Sequence, residues 1–391
     1  LTRQLTDALG DEALGSRVGA VVLDAATGQR IFAANPDAGI VPASTTKIVT
    51  SVAALASLGP DARLSTRVVS GRTANSIVLV GGGDPLLAGP SAKPAAFPKQ
   101  ATLATLALRT AASLKAQGIK KVTLAYDAGL FSGPAVGPGW KPGYIPDGNV
   151  APVHALAIDE GRQHPGHSQP RVSNPSQYAA AAFAKLLGKQ GISVSKSIRP
   201  GKAAAGAAEL GKVTSAPVYA LVEHALTHSD NDLSEALARH VAIKEGQPAS
   251  FDGGAKAVTA VLKRLGADKG IQVRDGSGLS TLNRISADGL ARLIAVALSD
   301  THPGLHAVAS GMPIAGFSGT LGNGRRFVGG DSKGQVGLVR AKTGTLNHVN
   351  TLAGLATTKD GRLVTFAFLA DQVPGTAEHV LDRLAAIVAR S

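Results

Sequence analysis

VRAKTGTLNHVNTLAG, residues 339–354, reads as two β-type runs about a turn, with Lys342-Thr343-Gly344-Thr345 near the end of the first. A cation followed by hydroxyls on a strand suits a carboxylate. Lys342 would attract it, Thr343 and Thr345 would hydrogen-bond to it, and Gly344 would leave room for close approach of a ligand. By itself Lys-Thr-Gly is also an ordinary strand ending. Working outward, GQVGLVRAKTGTL (334–346), VNTLAGLATT (349–358) and RLVTFAFLA (362–370) predict three strands joined by short turns. TAEHVLDRLAAIVAR (376–390) predicts an amphipathic helix with an apolar stripe of Val380, Leu381, Leu384, Ile387 and Val388. Acidic Glu378 and Asp382 and the lack of a Lys-rich face favour packing of this helix on the sheet over a membrane surface.

Two motifs upstream give the strand a partner chemistry. Ser44-Thr45-Thr46-Lys47 opens the helical run STTKIVTSVAALASL, which stops near Gly59-Pro60. On a helix, Ser44 and Lys47 share one face, a turn apart. A serine hydroxyl needs a base to become a nucleophile, and lysine is one only when its pKa is lowered. A helix N-terminus beside Ser44 favours a developing oxyanion. The motif is cheap: Ser193 to Lys196 also fits, but in a strand-like stretch that turns the two side chains to opposite faces. Ser229-Asp230-Asn231 sits between two helical runs. Alone it reads as an N-cap supported by Glu235, and it becomes catalytic where a second hydroxyl and an amide are needed.

The remainder of the chain suggests an interrupted domain. VGAVVLDAATGQRIFAAN (18–35) predicts a hairpin. Between residues 61 and 210 come strand-like LSTRVV, SIVLVGG and KKVTLAYD, a helical run over 101–118, a Gly/Pro-rich stretch from Gly129 to Pro175 expected to wrap a surface, a helix over 175–191, and strand-like ISVSKSI over 192–198. Residues 1–60 with 211–391 are expected to form one catalytic domain and 61–210 an inserted α/β domain. VYALVEHALTHS, NDLSEALARHVAIKEG, GGAKAVTAVLKRLG and the end of DGSGLSTLNRISADGLARLIAVAL supply a helical region. His224 and His228 have the i, i+4 spacing of metal ligands but no evident third ligand, so no metal and no cofactor is expected. Gly81-Gly82-Gly83-Asp84 lacks the end of a phosphate loop and reads as a turn. Asp275-Gly276-Ser277-Gly278 is not a nucleophile elbow.

Composition narrows the partners. The 391 residues carry 40 Lys and Arg against 27 Asp and Glu, a net charge of +13, which favours anionic partners. The basic residues are scattered and aromatics are only 4%, so nucleic acid is not expected. The absence of cysteine excludes thiol chemistry and disulfides. No run reaches the roughly 20 apolar residues of a membrane span, and membrane association has no support. The opening LTRQLTDAL has neither Met nor a signal-type apolar run, as in an exported chain whose leader has been removed or in a chain shortened at this end.

The three motifs together are those of serine penicillin-recognising enzymes. With VPASTTKIVT, LVGGGDPLL, HSDNDLSEAL, RDGSGLSTLNRIS and FSGTLGNG, the chain resembles the class C low-molecular-mass penicillin-binding proteins, the D-alanyl-D-alanine carboxypeptidase/endopeptidases of the penicillin-binding protein 4 type. The resemblance covers the catalytic halves, and the insert is shorter than the family's usual pair of inserted domains. It implies an antiparallel sheet flanked by helices plus a helical region, a β-lactamase/transpeptidase-like α/β (α+β) fold with the site between. It further implies Ser44 as acylated nucleophile, Lys47 or a Ser229/Lys342 relay as the first base, Ser229 as proton relay and Asn231 on the substrate amide. Lys342, Thr343 and Thr345 would bind the terminal carboxylate, with the N–H groups of Ser44 and Thr345 as oxyanion hole. Peptidoglycan stem peptides and β-lactams become the expected partners and the cell envelope the expected location. A β-lactamase, an esterase or a non-catalytic wall-binding protein on the same scaffold are the alternatives; no deacylation glutamate of the class A kind is evident.

Overall fold

The apolar runs at the two ends of the chain have faces that neither end can bury alone, and the fold joins them. The computed structural model describes residues 1–93, 97–164, 170–322 and 324–391. In chain order the strands are β1 (Val18–Asp24), β2 (Arg30–Ala34), β3 (Ser65–Ser70), β4 (Ser76–Val80), β5 (Lys121–Asp127), β6 (Ser193–Val194), β7 (Arg199–Pro200), β8 (Glu209–Thr214), β9 (Ile271–Gln272), β10 (Arg284–Ile285), β11 (Val339–Leu346), β12 (Val349–Thr357) and β13 (Leu363–Asp371). The helices are α1 (Thr2–Leu9), α2 (Thr46–Leu58), α3 (Leu103–Ala116), α4 (Pro175–Lys189), α5 (Val218–His228), α6 (Asn231–Lys244), α7 (Phe251–Arg264), α8 (Ala287–Leu298), α9 (Ala307–Gly311) and α10 (Glu378–Ala389).

β11, β12, β13, β1 and β2 lie in that order in an antiparallel sheet. One face packs on α10 and α1, the other on α8 and the helical region. β12 is buried from Val349 to Ala356, the pattern of a strand covered on both faces. The stripe of α10 is buried against this sheet, and no helix among the described residues is long and apolar enough to cross a membrane. A second sheet, β6-β5-β4-β3-β8, has its own core with α3 and α4 and mixes parallel with antiparallel pairing. The strand expected over 192–198 shrinks to Ser193–Val194, because beyond it Lys196 and Ser197 are exposed and bury nothing. Lys196 thus points to solvent, and Ser193–Lys196 has no site.

The Gly/Pro-rich stretch behaves differently from the surface wrap expected of it. Residues 165–169 lie outside the described residues, as does Asn323 of the FSGTLGNG run. The preceding part is a wall against the catalytic region. Trp140, Val150, Ala151 and Leu156 are buried, and Trp140 Nε1 donates to Asp275 Oδ2 at 2.8 Å. Long-range contacts of this kind leave no periodic trace in the sequence.

α2 is the axis of the helical region. Thr46 through Leu55 are all buried, so the helix is enclosed by α5, α6, α7 and α8 on every side. Its approach is a single 3-10 turn, Ala43–Thr45, with Ala43 at φ 48. That left-handed alanine is held from two directions. Thr351 Oγ1 donates to Pro42 O at 2.8 Å, and the Gly278 loop presses from the other side. A Cβ on Gly278, itself at φ 87, would lie 1.9 Å from Ala43 O. Gly278→Ala is therefore expected to lower stability by roughly 2–3 kcal/mol, read as a shifted denaturant midpoint, whereas Gly361→Ala, with open space around it, should cost less.

Candidate active site

Ser44 and Lys47 meet as helical spacing requires: Lys47 Nζ lies 3.0 Å from Ser44 Oγ. The other two Nζ contacts go to Asn231 Oδ1 at 2.6 Å and Ser277 O at 2.7 Å. Lys47 is fully buried. Burial pushes its pKa down to about 8, opposed by the carboxylates of Asp275, Asp230, Glu235 and Asp232. An amine so held has two acceptors for its own N–H bonds and, once neutral, a lone pair for the Ser44 proton.

The N-cap reading of Ser229-Asp230-Asn231 holds, and the same turn carries its outer residues to the cleft and to Lys47. Asp230 is the N-cap of α6, its Oδ1 accepting from Leu233 N at 2.9 Å. Ser229 ends α5 in the left-handed region at φ 57, a conformation costly for a serine and one that turns the chain sharply between the helices. The turn leaves Ser229 on the cleft and aims Asn231 at Lys47. Asn231 Nδ2 in turn donates to Asn149 O at 2.8 Å, so the Gly/Pro-rich wall orients the amide.

Glu235 has a different task from the helix-start support expected of it. Its carboxylate accepts from Gly276 N (3.1 Å) and Ser277 N (2.8 Å), and pairs with Arg239 at 3.6 Å. All of this is buried, and Arg239 lies over the Phe251 ring at 4.1 Å. Burial raises the Glu235 pKa to about 7 despite Arg239. The loop 275–280 is further tied by Asp275, which accepts from Gly278 N, Ser280 N, Asn283 Nδ2 and Trp140 Nε1. These bonds turn the Ser277 carbonyl to Lys47. Asp275, Ser277 and Glu235 therefore belong to the site, although Asp275-Gly276-Ser277-Gly278 offered no recognisable catalytic spacing; Glu235 on the inner face of α6 was the available signal.

The Lys-Thr-Gly strand divides by alternation. Thr343 and Thr345 line a cleft of about 670 Å³ with Ser44, Ser229, Thr320, Arg325, Arg326 and Glu378. Thr343 and Thr320 share a hydroxyl hydrogen bond of 2.7 Å, and Thr345 Oγ1 donates to Glu378 Oε1 at 3.1 Å. Lys342 and Gly344 face inward. Lys342 is fully buried, with Nζ donating to Thr343 O at 2.8 Å. Burial, then the charges of Lys47 and Arg326, hold its pKa well below the usual lysine range. The room Gly344 provides is filled by protein: a Cβ would lie 2.1 Å from Thr351 Oγ1 and 2.7 Å from Pro42 O. It lets β11 approach the turn that carries Ser44. Thr320 and Arg326, supplied by the segment before β11, add to the edge. Arg326 is held by Asp382 with Nη2–Oδ1 at 2.6 Å.

Comparison with known proteins accords with this geometry. A sequence model described as the D-Ala-D-Ala carboxypeptidase 3 (S13) family matches residues 1–170 and 162–390. The chain belongs to that family. A carboxypeptidase of Mycobacterium tuberculosis is 37% identical over 393 residues, covering 98% of this chain and 82% of the relative. The carboxypeptidase DacB of Mycolicibacterium smegmatis is 35% identical, with 99% and 83% covered. The crystal structure of penicillin binding protein 4 from Haemophilus influenzae shares the fold at a TM-score of 0.80 and 24% identity, with 98% of this chain and 97% of that one covered. The resemblance and the fold class expected from the sequence are thus met, and the protein is an enzyme, a serine-type D-Ala-D-Ala carboxypeptidase.

Removing the Glu235 carboxylate strands Arg239 and frees the 276–277 peptide. Glu235→Ala should destabilise the carboxypeptidase by roughly 3–5 kcal/mol, measured by urea unfolding; a loss below about 1 kcal/mol would contradict this account of the loop.

Proposed function

We propose that Ser44 is the nucleophile, that neutral Lys47 takes its proton, and that the enzyme removes the terminal D-Ala from peptidoglycan stem peptides through an acyl-enzyme. The observation that carries this reading is the Lys47 ammonium site. Two acceptors, Asn231 Oδ1 and Ser277 O, fix the amine while its third contact is Ser44 Oγ. Attack by Ser44 Oγ on the D-Ala-D-Ala carbonyl forms a tetrahedral oxyanion. The backbone N–H groups of Ser44 and Thr345 are its donors in this scheme. Ser229, on the same cleft, passes a proton to the departing amine. Water then attacks the ester, with Lys47 again as base, and releases Ser44.

Substrate orientation in this reading rests on Thr343, Thr345 and Thr320, which offer hydroxyls to the C-terminal carboxylate, with Arg325 and Arg326 supplying the positive field. Lys342 acts from behind the strand through its charge, and a carboxylate at Thr343 favours its protonated form. Asn231 contacts the substrate amide with the amide face left free by Lys47 and Asn149. β-Lactams, which carry an acyl carbonyl and a carboxylate in similar relation, acylate the same serine. A solved structure of the Haemophilus influenzae relative is a complex with a β-lactam, which supports this. Endopeptidase action on crosslinked peptides fits the same cleft, since such a substrate also bears a carboxylate beyond its scissile bond. The division into a catalytic domain, 1–60 and 211–391, and an accessory domain, 61–210, belongs to the same reading and is supported by the separate sheet and core of the insert. Wall chemistry implies action outside the cytoplasm, in the envelope of the cell.

Ser44→Ala is expected to abolish covalent labelling by a fluorescent penicillin; labelling that persists would place the nucleophile elsewhere. Acylation by Lys47 as base requires its neutral form, so the second-order labelling rate should rise with pH and level off above about 8. A rate that falls across the same interval would exclude this role. Incubation with a wall pentapeptide and a crosslinked dimer, followed by mass spectrometry of released D-Ala and monomer, ranks the two activities.

A further inference from the structure

His224 gains in the fold two carboxylate neighbours that its sequence spacing with His228 did not indicate. The ligand atoms of Glu160, His224 and Asp230 all lie within 4.8 Å of one another. His224 comes from the second half of α5, one turn before its end, Asp230 from the cap of α6, and Glu160 from the inserted segment, at φ 55. Asp230 is 8% exposed; its Oδ1 is used by the cap, and its Oδ2 has no hydrogen-bond partner. That Oδ2 lies 3.5 Å from His224 Nε2. The separation is long for a charge-assisted hydrogen bond. It is close to the roughly 3.3 Å between two donors on one tetrahedral zinc with bonds of about 2.0–2.1 Å.

Glu160, Asp230 and Asp232 are buried or half-buried carboxylates faced by the guanidiniums of Arg162 and Arg171. Arg162 and Arg171 both pair with Glu160 at Oε2. His228, with its ring centroid 4.6 Å from that of His224, packs beside it in the same cavity of about 430 Å³. This cavity is separate from the cleft of Thr343 and Thr345, and Ser229 borders both.

We propose that His224, Asp230 and Glu160 form a binding site for one divalent transition-metal ion of the zinc class, with water completing its coordination. The donor set, one imidazole and two carboxylates, is of the kind zinc accepts with an open position. Closing the geometry requires the Glu160 carboxylate, held by Arg162 and Arg171, to draw in toward the other two ligands from within 4.8 Å. The bound ion would tie together the end of α5, the start of α6 and the 160 segment, and so stiffen the junction from which Ser229 and Asn231 project. It takes no part in the acyl transfer, and the proposal stands apart from the assignment of Ser44.

The test uses the whole chain, freed of metal by a chelator and then titrated with zinc or cobalt(II). Calorimetry should show one zinc per chain at neutral pH, and cobalt should give the visible absorption of a low-coordinate N/O site. His224→Ala should weaken zinc binding by roughly 100-fold and remove the cobalt spectrum, and Glu160→Gln should weaken it roughly tenfold. Circular dichroism of both variants separates loss of ligand from loss of fold, and Glu160→Gln keeps the side-chain shape if His224→Ala does not fold. No binding up to about 1 mM zinc would overturn the proposal. Binding unchanged in both folded variants would overturn it equally, by placing the metal on other histidines.

Discussion

Everything at the centre of this molecule follows from keeping the amine of Lys47 out of water. A lysine buried without partners costs several kcal/mol, and here three contacts and four carboxylates share the task. Each contact comes from a different part of the chain: Ser44 from the 3-10 turn that leads into α2, Asn231 from α6, Ser277 from a loop. The amine is therefore also a gauge of assembly, because it is satisfied only when those segments have docked. The compromise between desolvation and nearby acids leaves it with a pKa near the range in which a base is useful.

The same economy explains the second lysine. Lys342 sits in an equally dry place but faces cations instead of carboxylates, and burial first, then those cations, hold its pKa well below its ordinary value. The cleft surface joins the hydroxyls of Ser44, Ser229, Thr320, Thr343 and Thr345 to Arg325, Arg326 and Glu378, with the two buried amines behind them. Hydroxyls donate and accept, so a wall of them can follow a substrate through changes of charge that a fixed ion pair would resist.

Much of this was legible in the residues. Ser-x-x-Lys at a helix start, Ser-Asp-Asn between helices and Lys-Thr-Gly on a strand led to Ser44, Lys47, Ser229, Asn231, Thr343 and Thr345, which the fold gathers around one cleft and its floor. What stayed hidden shares one property: it depends on contacts distant in sequence. Glu235 looked like part of a helix start, yet its partners are 41 and 42 residues away. Asn149 lies in a stretch without periodicity, 82 residues before the amide it holds. Gly344 carried a correct signal, closeness, but the neighbour that needs the space is Pro42 and not a ligand.

The sequence by itself determined the elements and the chemistry they can carry. Strand alternation, capping residues and the three motifs are local, and local sterics with one-turn spacing suffice to read them. Only the tertiary structure decided which way each polar group faces and what stands behind it. It turned Lys342 inward and Thr343 outward, placed the Ser277 carbonyl on Lys47, and brought Glu160 from the insert to His224. The reason is that pKa and orientation are set by dielectric and by neighbours within a few ångströms, and those neighbours are chosen by packing.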